Sequence, residues 1–501
     1  MYSEFFKRIF LLTLIFIGEV SMGTLQVGTK SYFVVDIFAM PEKIDTSLIH
    51  SASEFIILTH LNRPLIKLNA NSKIEGDLCD EWRVEDDFKK FTFHVREDAQ
   101  WSDGTKLTSQ DVVATIQRQM SLNSANHFNF KEILKVSNIG GNKFIVQLKS
   151  KNLSFIRHVT YPEFGVLHKS QISKEVGKLD HAITSGPYVL EKHENGRYYL
   201  SKNKFYKNSE EGSPSHVVFQ STDIETQLNG LNSGKIDFAI PHRLLSRSQH
   251  NSVVESKKLS ISSPHIGYTF WVSINPKSKS LSDVKTRHWI QKVLDSSKLS
   301  LEKEAPFWQH AKQLYLPDGL GRPKQEDIDS IWSEINSNAV KPQGSLKLKV
   351  LVGSDFPLRN QFLDLLKKNN IEIVVTEYSS PDEMFKKLKS EEFDLFQVRN
   401  DFSSEDLHEN LQTTFNPSSF LMLTDSKDNQ FQSDLVKALS SSSDEDRHNI
   451  YSNIGRKVLR KGYIAPLLYQ KVIFYYQKNL DISKLSVLYP ELSIWKISPK
   501  K

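Results

Sequence analysis

The amino-acid sequence predicts an α/β protein that folds into more than one domain. From residue 346 to residue 399, segments typical of strands alternate with segments typical of amphipathic helices, a pattern that favours a parallel sheet. The segment 77–118 combines an alternating strand, a turn and a capped helix. A chain of 501 residues is also too long for one compact core, which favours two or three domains.

The composition and the charge argue against several classes of protein. The chain has 39% hydrophobic and 25% charged residues, which is ordinary for a globular protein and unlike a disordered or fibrous one. Its net charge at pH 7 is only +6, and no block of Lys and Arg interleaved with aromatic residues occurs. A nucleic-acid partner is therefore not expected.

The N-terminal segment has the pattern of an export signal. Lys7 and Arg8 precede an apolar run over residues 9–17, and Ser21 and Gly23 are small residues that suit the positions before a cleavage site. The run is too short to cross a bilayer as a permanent helix. We therefore expect export with cleavage near Gly23, and a buried N-terminal helix is the alternative.

The first elements after this signal are a strand and a helix. Residues 29–40 are typical of a strand, and Pro41 begins a turn-like segment. Residues 51–68 predict a helix, because apolar residues recur at helical spacing at Ile56, Ile57, Leu61 and Leu65.

The segment 77–118 is the most informative part of the chain. Apolar and polar residues alternate over residues 91–95, which predicts a half-buried strand. Residues 102–104, Ser-Asp-Gly, are typical of a turn. Thr108 lies three residues before Asp111, which predicts a capping box at the start of a helix. Taken alone, the segment indicates an αβ fragment with no particular function.

As a whole, this segment resembles the signature of the family 5 extracellular solute-binding proteins, the peptide-binding subunits of bacterial ABC importers. Cys79, the only cysteine of the chain, takes the place of the family's usual alanine and leaves no partner for an intramolecular disulfide. The remaining positions of the signature are filled by Trp82, Phe91, Phe93, Val95, Arg96, Trp101, Asp103, Gly104, Leu107, Asp111 and Val112.

Downstream segments resemble the same family. After a predicted strand over residues 142–148, residues 184–188 resemble its Gly-Thr-Gly-Pro-Tyr element. Gly234 fits the family's Leu-x-x-Gly-x-x-Asp element and predicts a helix C-cap. Residues 268–299 resemble the start of the family's third domain, and there Arg287 is predicted to anchor a helix by hydrogen bonds, with ligand contact as the alternative. The matching positions are Leu231, Gly234, Asp237, Asn275, Asp283, Val284, Arg287 and Asp295.

The C-terminal part continues the α/β pattern. Predicted strands at 346–353, 371–378 and 393–399 alternate with helices at 357–370 and 379–392. The stretch from Ser440 to Ser443 is predicted to provide the N-cap of a helix with acids in its first turn and bases in its last. The segment from Pro466 predicts a strand and a hairpin that resemble the family's closing segment.

Candidate ligand-binding residues follow from the last of these strands. Ligands bind at the carboxyl ends of strands in open α/β sheets, and the strand 393–399 ends at Arg399, Asn400 and Asp401. The resemblance implies that an aspartate after this strand receives the α-ammonium group of a peptide. Asp401 is near that position, although the family's Asp-aromatic-Pro-Asp-Pro is absent and the spacing is shorter by two residues. Capping of the next turn is the alternative for Asp401.

Two aromatic residues complete the candidate set. Trp271 and Tyr268 lie in the segment that resembles the start of the third domain, where aromatic rings could line pockets for ligand side chains. An aromatic residue in an apolar strand is more often part of the core, and that alternative stays open.

No enzyme motif is present in the sequence. It contains no Gly-x-Ser-x-Gly, no His-Glu-x-x-His, no Gly-x-x-x-x-Gly-Lys and no Cys-x-x-Cys. The 16 histidines form no i, i+4 pair with an acid between them. We therefore expect no enzymatic activity, no cofactor and no metal site.

The resemblance implies a two-lobed periplasmic binding protein fold (type II-like, cluster C) with an additional domain. It further implies a monomeric periplasmic protein that closes on a short peptide and delivers it to an ABC permease in the inner membrane. Alternatives are another solute, such as an oligosaccharide, a metal chelate or an opine-like compound, or a peptide-binding sensor without a transport role. The expected division after the signal at 1–23 is domain I from 24–50, 182–266 and 470–501, domain II from 51–181, and domain III from 267–469.

Overall fold

The computed structural model describes residues 24–27, 30–37, 40–49, 51–69, 74–85, 88–122, 128–241, 245–263, 266–301, 307–317, 321–354, 356, 358–379, 381–400, 411, 414, 430–439, 441, 443–485 and 492–500. The strands within these residues, numbered in chain order, are β1 (Thr24–Val27), β2 (Lys30–Asp36), β3 (Ile66–Leu68), β4 (Ile74–Gly76), β5 (Cys79–Val84), β6 (Lys90–Val95), β7 (Ile133–Gly140), β8 (Lys143–Leu148), β9 (Tyr188–Glu194), β10 (Arg197–Lys202), β11 (His216–Gln220), β12 (Phe238–Ala239), β13 (Leu259–Ser262), β14 (Ile266–Ile274), β15 (Trp308–His310), β16 (Leu346–Gly353), β17 (Ile371–Tyr378), β18 (Leu395–Asn400), β19 (Ile464–Lys471), β20 (Phe474–Gln477), β21 (Leu480–Asp481) and β22 (Ser498–Pro499).

The α-helices among the described residues are α1 (Ala52–Leu61), α2 (Ser109–Ser121), α3 (Phe128–Lys131), α4 (Phe155–His158), α5 (Lys169–Ile172), α6 (Ile224–Ser233), α7 (Arg247–Val254), α8 (Val284–Val293), α9 (Gln325–Asn338), α10 (Arg359–Lys368), α11 (Pro381–Ser390), α12 (Gln430–Leu439) and α13 (Asp444–Arg460).

The first large sheet contains eight strands. Their order is β13-β20-β12-β2-β11-β10-β9, and β1 pairs with β2 beside this path. β2, β11 and β12 run parallel, with Val35 of β2 opposite both Phe219 and Phe238, whereas β20 runs antiparallel to β12. The predicted strand at 29–40 is therefore present as the central strand β2.

The second large sheet contains six strands in the order β15-β19-β14-β18-β16-β17. β16, β17 and β18 run parallel, and β14 runs antiparallel to both β18 and β19. Helix α10 connects β16 to β17 and α11 connects β17 to β18. The predicted alternation over residues 346–399 is confirmed.

A smaller antiparallel sheet has the strand order β5-β6-β8-β7. Phe91, Phe93 and Val95 of β6 are buried, and the residues between them are half-buried, as the alternation predicts. At the start of α2, the backbone N–H of Thr108 donates to Asp111 Oδ2 at 2.9 Å within the predicted capping box. Cys79 is buried with a free thiol.

Three further local predictions are confirmed. Gly234 ends α6 in the left-handed region with φ of 73°. Ser443 caps α13 by accepting a hydrogen bond from the Asp446 N–H. Arg287 anchors α8, because Nε donates to the Lys461 carbonyl at 2.9 Å and Nη1 donates to the carbonyls of Leu281 and Ser282, both at 2.8 Å.

The prediction of one helix over residues 51–68 is wrong at its C-terminal end. Helix α1 ends at Leu61, the next residue Asn62 is extended, and residues 66–68 form strand β3. Pro64 disfavours a helical conformation at Arg63 for steric reasons, so the apolar spacing beyond Leu61 belongs to a different element.

The prediction of a hairpin after Pro466 is also wrong. β19 and β20 do not pair with each other: β19 pairs with β14 and β15 in the second sheet, and β20 pairs with β12 and β13 in the first. The sequence between them, Val472-Ile473, contains no turn residue. The chain therefore passes from one sheet into the other at this point.

The division into three domains stays a prediction. The strands β14 and β19 both extend across predicted boundaries, because β14 begins at Ile266 and β19 ends at Lys471.

Candidate functional site

The two large sheets are joined by two neighbouring connections. One runs from β13, which ends at Ser262, to β14, which begins at Ile266, and the other runs from β19 to β20. Ser262 pairs with Phe474 in the first sheet, and Ile266 pairs with Lys471 in the second. The two connections therefore leave each sheet side by side and together form the junction of the sheets.

The carboxyl ends of parallel strands in the first sheet lie beside this junction. Tyr475, the second residue of β20, pairs with Ala239 at the end of β12. Asp36 at the end of β2 pairs with Ala239 on one side and with Gln220 at the end of β11 on the other.

The second sheet presents its carboxyl ends to the same junction. Asn400 at the end of β18 pairs with Thr269, near the start of β14. Because β16 and β17 run parallel with β18, their ends at Gly353 and Tyr378 lie at this edge as well. Ligands bind at carboxyl ends in open α/β sheets. We therefore take the junction and the two carboxyl edges that adjoin it as the candidate site.

The edge of the first sheet is organised by a buried carboxylate. Asp36 Oδ1 accepts from Gln227 Nε2 at 2.7 Å, and Oδ2 accepts from Thr222 Oγ1 at 2.8 Å and from Gln220 Nε2 at 3.0 Å. Burial raises the pKa of Asp36 above its ordinary value, and these hydrogen bonds act in the opposite direction. The network joins β2 to β11 and α6, so Asp36 stabilises the edge itself.

A buried amide has the same role in the second sheet. Gln397 Oε1 accepts from the Gly353 N–H at 3.3 Å and from the Tyr378 hydroxyl at 3.1 Å. The Tyr378 hydroxyl also lies 3.0 Å from the Gln397 carbonyl oxygen. These contacts join the ends of β16, β17 and β18.

A recess at the junction has walls from both sheets. The first sheet and the segments that follow its strands contribute mainly apolar side chains, and the second sheet contributes Tyr268, Gln470 and Lys471. The guanidinium carbon of Arg399 lies 5.0 Å from the centroid of the Tyr268 ring, a cation–π contact between β18 and β14. The other lining residues are Ile240, Pro241, Leu245, Phe307, Val472, Ile473 and Tyr475.

The structure brings together two of the five residues predicted for the ligand site. Tyr268 and Arg399 meet at the junction, where Tyr268 is half-buried and Arg399 is exposed. Asn400 ends β18. Asp401 lies outside the described residues. Trp271 is 0% exposed and its Nε1–H donates to Ser273 Oγ at 3.1 Å, which favours a packing role for it.

The sequence analysis did not identify Gln470 and Lys471, which line the recess. They lie at the end of β19, and the backbone N–H of Lys471 donates to the Phe307 carbonyl at 2.9 Å. One feature of the sequence does indicate that the chain continues into another sheet. The segment Val472-Ile473 between the two strands is apolar and contains no turn residue.

Neither a cluster of metal-ligating side chains nor a membrane-spanning helix occurs in the described part of the chain. No group of three or more His, Cys, Asp or Glu side chains there is arranged to hold a metal ion. Likewise, no helix in those ranges is long and apolar enough to cross a membrane.

Comparisons with known proteins support the same conclusion about the fold. The chain is similar to NikA from Brucella suis, solved in complex with Fe(III)-EDTA, with a TM-score of 0.79 and 16% identity over 93% of this chain and 100% of that one. It is similar to the oligopeptide-binding protein AppA from Bacillus subtilis, solved in complex with a nonapeptide, with a TM-score of 0.74 and 16% identity over 94% and 99% of the two chains. These similarities show that the chain has the α/β fold of two-lobed periplasmic binding proteins.

Sequence comparison finds similarity to one family over part of the chain. The family model "Bacterial extracellular solute-binding proteins, family 5 Middle" matches residues 73–300. The periplasmic oligopeptide-binding protein OppA from Salmonella typhimurium is 25% identical over 265 residues, which are 47% of this chain and 48% of that protein. The chain thus spans about half the length of this curated relative. Residues 73–300, less than half of the chain, are thus similar to the family 5 bacterial extracellular solute-binding proteins.

Proposed function

We propose that this protein captures short peptides between the carboxyl edges of its two large sheets and delivers them to an ABC permease in the inner membrane. It acts as a binding protein and not as an enzyme. The observation that carries the proposal is the junction, where two adjacent connections join the sheets at the edges on which such folds bind ligands.

The geometry suits an extended ligand. A peptide requires partners for its main-chain N–H and C=O groups, and strand ends provide such groups in regular order. Two short connections side by side allow the lobes to rotate about a hinge, since only a few residues need to change conformation. Closure of the lobes would then bury the peptide and remove it from water.

The relatives support peptides as the solute class. The Salmonella protein is named as an oligopeptide-binding protein, and AppA was solved with a nonapeptide. NikA, solved with Fe(III)-EDTA, has the same fold, so the fold by itself does not select the solute. The similarity to this family and the strand-end geometry together favour a peptide.

We further propose that the protein acts in the periplasm as a monomer. Residues 1–23 have the pattern of an export signal. Thr24 is the first residue of β1 and pairs with Phe33, so cleavage after Gly23 would leave the pairing of β1 with β2 intact.

The test is to purify the mature protein from its native host, identify any co-purified solute by mass spectrometry, and measure small-angle scattering with and without it. We expect peptides, a smaller radius of gyration in the loaded protein, and a melting temperature that rises with peptide concentration. An oligosaccharide, a metal chelate or an opine-like compound in place of peptides would overturn the solute class. Unchanged scattering with a bound peptide would overturn lobe closure.

A further inference from the structure

Four lysines gather at the end of β20 that lies opposite the junction. Lys478 directly follows β20, and its backbone N–H donates to the carbonyl of Lys258, just before β13 begins, at 2.7 Å. Lys257 is the preceding residue. Lys235 lies beside them, because Nε2 of Gln477, the last residue of β20, donates to the carbonyl of the residue after Lys235 at 2.8 Å. We refer to these four lysines as the lysine patch.

The charges of the lysine patch are not compensated by ion pairs. All four side chains are exposed, and none pairs with a carboxylate among the described residues. Glu255 and Asp481 lie within three residues of the patch along the chain, but neither is within ion-pair distance of its lysines. Asp237, two residues after Lys235, is buried, and burial raises the pKa of its carboxyl group to about 8. It therefore contributes little negative charge at neutral pH.

The arrangement of Lys258 and Lys478 is unfavourable when no anion is bound. Leu259 pairs with Gln477 in the antiparallel register of β13 and β20, so Lys258 and Lys478 form the next pair. The side chains of such a pair project from the same face of a sheet with about 5 Å between their Cβ atoms, and like charges directly opposite each other destabilise the sheet. A bound anion would remove this repulsion.

An exposed apolar side chain accompanies the lysine patch. Val254, the last residue of α7, is 57% exposed and lies three residues before Lys257. Apolar side chains next to lysines are typical of protein surfaces that adsorb to lipid headgroups. All four cations of the patch are lysines, whereas recognition of a fixed carboxylate or phosphate on a protein favours the planar fork of arginine. Flexible ammonium groups suit a fluid surface that carries many anionic groups.

We propose that the lysine patch binds the anionic phospholipid headgroups at the surface of the inner membrane. The inference goes beyond peptide binding, and it rests on the proposed function only for the position of the protein beside that membrane. Each lysine close to an anionic membrane strengthens binding by about fivefold. The patch and the junction lie at opposite ends of β20, so lipid binding does not require the residues of the candidate site.

The experiment is sedimentation of the full mature protein with vesicles. One set contains phosphatidylcholine alone, and the other contains phosphatidylcholine with about one third phosphatidylglycerol. We expect binding to the anionic vesicles only, and its loss in about 0.5 M salt, where charges are screened within roughly 4 Å. The double variant Lys258→Gln, Lys478→Gln should bind the anionic vesicles about 25-fold more weakly, since each lysine contributes about fivefold.

The double variant Lys367→Gln, Lys368→Gln is the matched control. Both residues are exposed in the last turn of α10, and neither forms an ion pair among the described residues. This variant loses the same charge from the second sheet's side of the molecule and should keep the native affinity for anionic vesicles. Melting temperatures of both double variants verify folding.

Four outcomes would overturn the proposal. They are no binding of the native protein to anionic vesicles, equal binding to both kinds of vesicle, an unchanged affinity of Lys258→Gln, Lys478→Gln, and an equal loss in the control, which would show that only the net charge matters. Soluble poly-glutamate is a third probe, because an acidic protein is the other partner that the lysines would fit. Binding to poly-glutamate without binding to the anionic vesicles would assign the patch to such a protein and overturn the lipid partner.

Peptide capture is measured on the same proteins. The variant Lys258→Gln, Lys478→Gln should capture peptides as the native protein does, so a failure of lipid binding leaves the proposed function intact. Binding to anionic vesicles without capture of any peptide would overturn the proposed function and leave the role of the lysine patch.

Discussion

Oδ2 of Asp237 accepts a hydrogen bond from the backbone N–H of Val34 at 2.8 Å, although the two residues are 203 positions apart in the chain. Asp237 is 0% exposed and lies just before β12, and its Oδ1 atom has no hydrogen-bond partner among the described residues. Burial raises the pKa of Asp237 to about 8, although the Val34 hydrogen bond opposes the shift. The carboxyl group is therefore largely protonated at neutral pH in the folded protein.

Because the pKa of Asp237 is raised in the folded state, we expect the folded protein to lose stability as the pH rises. Below pH 3.8 the carboxyl group is protonated in both the folded and the unfolded chain, whereas between pH 3.8 and about 8 only the unfolded chain ionises readily. Its contribution to stability is therefore lost as the pH rises through this window. In Asp237→Asn the side chain cannot ionise, so the variant should gain stability relative to the native protein from pH 5 to pH 8, by up to about 1.4 kcal/mol per pH unit. Denaturant unfolding at several pH values measures the difference.

Asp223→Asn is the control for Asp237→Asn. Its carboxylate caps α6 at an exposed position, and the hydrogen bonds from Thr226 lower its pKa. Because this group is ionised in both states above pH 5, the stability difference should be independent of pH from 5 to 8. A flat difference for Asp237→Asn over the same range would contradict the proposed protonation.

Asp45 and Arg118 form a buried ion pair, and we expect its disruption by mutation to cause a large loss of stability. The pair joins the loop after β2 to α2 with an Oδ2–Nη2 distance of 3.3 Å, and both side chains are at most 3% exposed. Asp45 also accepts hydrogen bonds from the N–H groups of Ser47 and Gly177. Asp45→Asn would leave a buried arginine without its counter-charge, so the free energy of unfolding should fall by about 3 kcal/mol. Denaturant unfolding measures this change.

The exposed pair of Lys192 and Glu194 provides the comparison. Its Nζ–Oε2 distance is only 2.6 Å, but both side chains are more than 40% exposed. Water and salt screen such a pair, so Glu194→Gln should change the stability little. A similar loss of stability in both variants would show that burial does not determine how much the Asp45 pair contributes to stability.

Asp401 remains the sequence-based candidate for the acceptor of the peptide α-ammonium group. It follows Asn400 directly in the chain and lies outside the described residues. If it accepts charge-assisted hydrogen bonds in a buried site, Asp401→Asn should weaken binding by about 2–5 kcal/mol. Calorimetry with a free peptide and its N-acetylated form is the measurement. Equal affinity of the two peptides would show that Asp401 does not bind the α-ammonium group, and Asp406 would then be the next candidate.

The export signal leads to a direct prediction about the mature chain. N-terminal sequencing of the protein from the periplasmic fraction should begin close to Thr24. A soluble cytoplasmic pool that retains Met1 would contradict export.

The sequence by itself determined the elements whose stability is local. The capping box of Thr108 and Asp111, the C-cap at Gly234 and the alternation of residues 91–95 each depend on neighbours within a few positions, so spacing alone predicted them. The segment from Cys79 to Val112 likewise carried the resemblance to the family, because its turn, strand and cap residues are specified by local chemistry.

Only the tertiary structure decided where the chain changes sheets and which side chains meet there. The passage from β19 to β20 through Val472 occurs where the sequence contains no turn residue, whereas the end of α1 at Leu61 has a local cause in Pro64. The contact of Arg399 with Tyr268 joins residues 131 positions apart through the register of β14 and β18. Such pairings depend on which surfaces bury one another, and a hydrophobic pattern read along one segment contains no information about the partner that covers it.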